Sequence, residues 1–222
     1  MVCLAGPGKL PQSHRATGYA IAVPRLIRIN TMQNNTIFRT PVVAPLFRAV
    51  FRAITFILGW KIVGDRPEEK KCLLIAVPHT SNWDFPAMMA VAFTLRLPVN
   101  WMGKHTLFPA GPLGAIMRWF GGISIDRRKS HNTVEQMAEA YQQRDELMLI
   151  ITPEGTRSEV ERWKGGFYHI AVAAGVPIYL GSVDVATKTA GVGPAFYPTG
   201  DYEADLREMM AFYEGKQGFR RR

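Results

Sequence analysis

Residues 72–84 read Cys72-Leu73-Leu74-Ile75-Ala76-Val77-Pro78-His79-Thr80-Ser81-Asn82-Trp83-Asp84. Six apolar residues in a row, closed by a proline, predict a strand buried on both faces. The polar run that follows carries turn and cap residues, and Pro86 to Leu95 predicts a helix with its proline near the first turn. A second stretch has the same grammar. Glu146 to Ile151 predicts another buried strand and runs into Thr152-Pro153-Glu154-Gly155-Thr156-Arg157-Ser158. Outward from these two, short predicted strands at 61–63, 99–102, 123–125 and 178–183 alternate with predicted helices at 113–120, 132–144, 167–174 and 201–213. Alternation of this kind predicts one α/β domain with a mainly parallel or mixed central sheet flanked by helices. The chemistry of such sheets sits just beyond the C-terminal ends of their strands.

The chain has 222 residues, 47% apolar and 20% charged, enough to bury a core without disulfides. That composition argues against a disordered, collagenous or coiled-coil chain. No run of 18 uncharged apolar residues occurs, which argues against a simple membrane-spanning helix. Cys3 and Cys72 sit in unrelated contexts, so neither a disulfide framework nor a cysteine-based zinc site is expected, and a reducing compartment fits.

The net charge of +9 is unevenly placed. Lys9, Arg15, Arg25, Arg28, Arg39, Arg48, Arg52 and Lys61 precede the first acid, Asp65, whereas residues 65–222 are nearly balanced apart from a basic tip at 220–222. An anionic membrane surface or a nucleic acid could read such a front end. Residues 1–31 show no period and are expected to be disordered or extraneous, with a start at Met32 or a transit peptide as the two explanations. Residues 32–60 form the next unit. Within them Leu46, Phe47, Val50, Phe51, Ile54, Ile57 and Leu58 recur at helical steps, with Arg48 and Arg52 four apart on the opposite edge. The pattern fits a helix lying in a membrane interface and equally a helix covering a core. Residues 61–222 form the body.

His79 and Asp84 are five apart, which on a regular helix would separate them by about 140°. They can meet only across a turn, where a histidine held by a carboxylate makes a general base with its orienting partner. A capping aspartate beside an incidental histidine is the other reading. In Glu154-Gly155-Thr156-Arg157, glycine permits a tight turn and the arginine fork suits a phosphate, while a surface Glu154–Arg157 ion pair is the alternative. Asp126-Arg127-Arg128-Lys129 and Lys104, at two further strand ends, supply cations for an anion site or a solvated charge run. No Walker-type loop, strand-linked GxGxxG or His-Glu-x-x-His helix is present, and His105, His131 and His169 lack ligand spacing, so no metal is expected.

Taken in order, His79-x-x-x-x-Asp84, Gly121-x-x-x-x-x-Arg127, Glu154-Gly155-Thr156-Arg157 and Val176-Pro177-Ile178 resemble the motifs of the glycerolipid acyltransferases, in particular the 1-acylglycerol-3-phosphate (lysophosphatidic acid) acyltransferase family. Lys164-Gly165 is similar to a pair that often follows in that family, whereas Ser124, Thr152 and Leu180 depart from its usual residues. The resemblance covers roughly residues 40–200. It implies acyl transfer from acyl-CoA or acyl carrier protein to the hydroxyl of a lysophospholipid, with no cofactor beyond that co-substrate. By the same resemblance His79 is the base and Asp84 orients it. Arg127, Glu154, Gly155, Thr156 and Arg157, joined by Lys104, receive the acceptor phosphate. Backbone N–H groups of the turn after His79 are candidate oxyanion donors. A peripheral or monotopic protein on the cytoplasmic face of an anionic membrane is the matching expectation, without a nucleic-acid partner. An acyltransferase acting on another lyso-lipid or lipid alcohol is the alternative within the family, and the rival readings are a basic lipid- or nucleic-acid-binding module and, second, a relative that silently binds lipid or hydrolyses the thioester. The near-neutral body disfavours the first, and the intact His79 and Asp84 disfavour the second.

Overall fold

The computed structural model describes residues 35–125, 133–158 and 160–220. Arg127 and the whole Asp126–Lys129 charge run lie outside the described residues, as does the 1–31 segment. Among the described residues one sheet of seven strands forms in the order β1-β7-β6-β2-β5-β3-β4. The strands are β1 (Lys61–Val63), β2 (Lys71–Val77), β3 (Val99–Lys104), β4 (Gly122–Ile125), β5 (Leu147–Ile151), β6 (Ile178–Asp184) and β7 (Thr189–Phe196). All neighbours run parallel except β6 and β7. The helices are α1 (Val43–Ile57), α2 (Asp84–Thr94), α3 (Pro112–Trp119), α4 (Thr133–Gln142), α5 (Gly166–Ala174) and α6 (Tyr202–Tyr213).

The two apolar runs are the sheet's centre. β2 lies between β5 and β6, in register from Lys71↔Leu147 to Ile75↔Ile151 on one side and from Leu73↔Ile178 to Val77↔Ser182 on the other. With partners on both edges and helices on both faces, polar side chains there would have no water, so the run is apolar throughout. Leu73, Ile75 and Leu149 pack under α4, α5 and α6, against Met137, Phe167 and Met209. Cys72, Leu74 and Met148 face the other way, with Ala92 of α2. Burial pushes the Cys72 thiol up to about 12, so it stays protonated and inert.

β7 has no counterpart among the predicted strands. Gly191, Gly193 and Pro194 interrupt its apolar alternation. The structure explains each interruption. A β-carbon at Gly191 would run into the Val63 carbonyl of β1, and one at Gly193 would meet the Phe212 ring at 2.5 Å. Pro194 sits where the β6–β7 register shifts between Tyr179 and Gly181, a bulge that needs no N–H from it.

The apolar stripe of 42–60 divides in two. Phe47 and Phe51 stack on Phe93 of α2, ring centroids 5.4 and 5.6 Å apart. Leu46, Val50, Ile54 and Ile57 lie on the exposed side. The reading of a helix covering a core describes the packed face, and the other face is open to solvent. Arg48, read as lying on the edge opposite the stripe, donates from Nε at 3.2 Å to the Phe93 carbonyl near the end of α2, which also accepts from the Arg96 amide at 3.3 Å. Among the described residues no helix is long and apolar enough to cross a membrane.

Candidate active site

At the end of β2 the chain passes a cis Val77–Pro78 peptide and turns into α2. Asp84, the first residue of that helix, reaches back across the turn. Its Oδ2 accepts from the amides of Thr80 and Ser81 at 2.7 and 2.8 Å. The same oxygen lies 2.9 Å from His79 Nδ1. A carboxylate only accepts, so Nδ1 donates, and a neutral imidazole in that tautomer carries its lone pair on Nε2. The five-residue spacing thus resolves as the sequence reading required, across a turn rather than along a helix. The Ser81 hydroxyl completes the turn by accepting from the Trp83 amide at 3.2 Å.

These bonds correct one expectation. The amides of Thr80, Ser81 and Trp83 are spent on acceptors within the turn itself, which narrows the candidate oxyanion donors of this turn to the Asn82 amide. An N–H group has one proton, and the buried Thr80 and Ser81 need acceptors that water does not supply.

A second correction concerns Glu154. Its residue is 2% exposed, and Oε1 accepts from the His79 amide at 3.0 Å. Its burial is at odds with a surface ion pair to Arg157, and as an anion it would repel an acceptor phosphate. It ties the turn after β5 to the turn after β2 and so fixes the backbone of the histidine. Gly155 beside it has φ 67°, and a β-carbon there would lie 3.0 Å from Lys164 Nζ. Glycine is needed both for that left-handed conformation and for the approach of the lysine.

The remaining residues of the sequence reading separate. Arg157 and Gly155 line a cleft of about 780 Å³ that also opens on His79 and Asp84. Lys164, singled out in the sequence only as part of a Lys-Gly pair, lines it too. Thr156 is exposed and accepts from the Ser158 amide at 3.3 Å, a bond local to its loop. Lys104 ends β3 exposed to solvent and is not among the residues lining the cleft. Below its polar mouth the cleft is apolar, running between α2 and the sheet past Leu74, Met88, Val91, Leu97, Ile150 and Val192. The arrangement joins one imidazole–carboxylate pair, two cations and a greasy channel.

The family model described as Acyltransferase matches residues 61–180. A 1-acyl-sn-glycerol-3-phosphate acyltransferase of Haemophilus influenzae is 29% identical over 151 residues, covering 64% of this chain and 61% of that protein. The protein of the same name from Escherichia coli is 28% identical over 149 residues, covering 63% and 59%. The human 1-acyl-sn-glycerol-3-phosphate acyltransferase beta is 32% identical over 116 residues, covering 50% and 40%. The chain thus spans about three fifths of the length of its bacterial relatives. In fold it is similar to the crystal structure of the 1-acyl-sn-glycerophosphate (LPA) acyltransferase PlsC from Thermotoga maritima. The TM-score is 0.53 at 18% identity, covering 77% of this chain and 76% of that one.

Proposed function

The chain belongs to the acyltransferase family, and from that premise we propose that it acylates the free hydroxyl of a lysophospholipid. The leading acceptor is 1-acylglycerol-3-phosphate, giving phosphatidic acid in phospholipid biosynthesis, with acyl-CoA or acyl carrier protein as donor. The observation that carries this reading is the 2.9 Å His79–Asp84 pair at the mouth of an apolar cleft that Arg157 also lines.

The chemistry follows from these groups. The acceptor hydroxyl is a poor nucleophile until its proton leaves, and His79 Nε2 takes that proton as the oxygen attacks the thioester carbonyl. Asp84 stabilises the imidazolium that forms. As the tetrahedral intermediate collapses, the carbon–sulfur bond breaks and the imidazolium returns the proton to the departing thiolate. The thioester is already activated, so no covalent enzyme intermediate, metal or further cofactor is needed. Arg157 and Lys164, with Arg127 from outside the described residues, neutralise the acceptor phosphate and orient its glycerol hydroxyl. The apolar channel takes an acyl chain.

Purified protein supplied with a panel of acyl donors and lyso-lipids, products read by mass spectrometry, tests the reading. Phosphate-bearing acceptors are expected to be acylated in preference to a monoacylglycerol. Arg157→Ala is expected to raise the acceptor KM by about 10- to 100-fold, the worth of a hydrogen bond to a charged group, and to erode that preference. Absence of transfer to every acceptor would defeat the assignment, and an unchanged preference would remove Arg157 from the phosphate site.

The membrane reading rests on α1 and its neighbours. Leu46, Val50, Ile54 and Ile57 on α1, with Trp83 and Phe85 at the start of α2, are exposed apolar side chains. Such surfaces mark contacts with lipid or protein. They support a peripheral or monotopic seat on the cytoplasmic face of an anionic bilayer, beside the substrate. Because the other face of α1 packs on Phe93, deleting the helix would confuse binding with folding. The variant Leu46→Ser/Val50→Ser/Ile54→Ser touches only the outer face. It is expected to lose flotation with anionic liposomes while keeping its thermal midpoint, and equal flotation counts against the anchor.

A further inference from the structure

The basic tip of the sequence begins at Arg220, and the chain brings it to the catalytic turn by a route the sequence does not announce. Beyond α6 the backbone doubles back along the end of β6. The Val185 amide donates to the Gln217 carbonyl at 2.8 Å, and the Gln217 amide donates to Asp184 Oδ1 at 3.1 Å. Past this clamp, a β-carbon on Gly218 would lie 2.5 Å from the Thr80 hydroxyl oxygen. The Phe219 ring stacks on Trp60 with centroids 5.6 Å apart, and the Arg220 amide donates to Thr80 Oγ1 at 3.2 Å.

Thr80 is therefore held from two sides. Its amide serves Asp84 Oδ2, and its hydroxyl serves the returning chain. Only 1% of it is exposed, yet it is not among the residues lining the cleft, so it touches no substrate there. The segment belongs to no helix or strand of the fold, and its contacts converge on the turn that carries the base.

We propose that residues 217–220 form a positioning strap for the catalytic base, acting through Thr80 to hold the turn in which Asp84 meets His79. The physical case is one of over-determination. The turn is a short irregular link between a buried strand and a helix, and the donor–acceptor geometry of a general base must be kept within a fraction of an ångström. Glu154 fixes the His79 amide and Asp84 fixes the amides of Thr80 and Ser81. The strap engages the Thr80 hydroxyl. Glycine at 218 permits the close approach, and the Asp184 clamp and the Trp60 stack anchor it independently.

This inference rests on the reaction proposed above, so its test carries one readout that does not need turnover. The chain ending at Gln217, Thr80→Val, Thr80→Ser and the truncation combined with Thr80→Val are compared with the full chain. The His79 imidazole resonances, assigned through His79→Gln, report the pairing with Asp84 directly. Truncation and Thr80→Val are each expected to shift those resonances. Each is also expected to lower kcat about tenfold with KM for donor and acceptor within about twofold, the signature of a lost transition-state arrangement. Their combination is expected to be no worse than truncation alone, because both act on the turn through the Thr80 hydroxyl, and Thr80→Ser is expected to keep full-chain values. If truncation lowers the thermal midpoint enough to unfold the chain, Gly218→Ala, which drives a carbon into Thr80, takes its place. Unshifted His79 resonances overturn the proposal, as does a kcat loss that Thr80→Val does not share or an effect confined to KM. A full chain without transferase activity would sink the proposed reaction, while the imidazole resonances still decide the strap.

Discussion

Replacing His79 with alanine is expected to lower kcat by about 10²- to 10⁴-fold, the usual worth of a positioned general base, and to leave the fold in place. The two halves of that expectation come from different observations. The kinetic loss follows because no second imidazole is aimed by a carboxylate at the same cleft among the described residues, and water at neutral pH is a weak substitute. The structural tolerance follows because the imidazole is an edge of the site, 21% exposed, and not a piece of any of the three core clusters. Its amide still reaches Glu154, since that bond belongs to the backbone. Asp84 Oδ2 keeps its two amide donors, so the vacancy does not strand a carboxylate without partners. Steady-state turnover and a thermal melt on the same preparation check both halves. Turnover within a few-fold of the parent would remove His79 from the mechanism, and a large loss of midpoint would show that the imidazole supports the turn rather than serving the substrate.

The difference between what sequence and structure each disclose has a physical basis. Buried parallel strands write themselves as unbroken apolar runs, so β2 and β5 were legible, and with them the placement of the reactive turns at their ends. β7 was not, because its identity depends on what presses against it: Val63 of β1 at Gly191 and Phe212 at Gly193 exclude the side chains that would have announced a strand. The pairing of His79 with Asp84 was legible because only a turn can close a five-residue gap. The role of Glu154 was not, since its partner is the amide of a residue 75 positions away and an amide has no letter in the sequence. The same blindness hid the use of the turn's N–H groups and the contact of Arg220 with Thr80 across 140 positions. The apolar stripe of α1 was legible as a stripe. Its division into a packed face and an open face was not, because Phe93 lies on another helix.

Asp84→Asn carries the second large expectation, and its outcome depends on which way the amide sits. One carboxylate oxygen accepts three donors, the amides of Thr80 and Ser81 and His79 Nδ1, whereas Oδ1 is buried with no hydrogen-bond partner among the described residues. The side-chain carbonyl of asparagine must take the crowded place, because an NH2 group there would face three N–H donors. Its NH2 then occupies the buried place of Oδ1, and a donor left unsatisfied there costs about 1–3 kcal/mol. For a chain of this length that corresponds to a midpoint lower by roughly 2–12 °C. The fold survives because the turn retains its acceptor, but the charge is gone. The imidazolium formed when His79 takes the acceptor proton then faces a neutral dipole, and kcat is expected to fall by about 10²- to 10⁴-fold. The cleanest check is the pair. His79→Ala/Asp84→Asn is expected to be no slower than His79→Ala alone, because an orienting carboxylate without its base has nothing left to orient. Losses that multiply in the double variant would mean that Asp84 acts on the substrate by its own route, and the base and its partner would have to be separated into two functions.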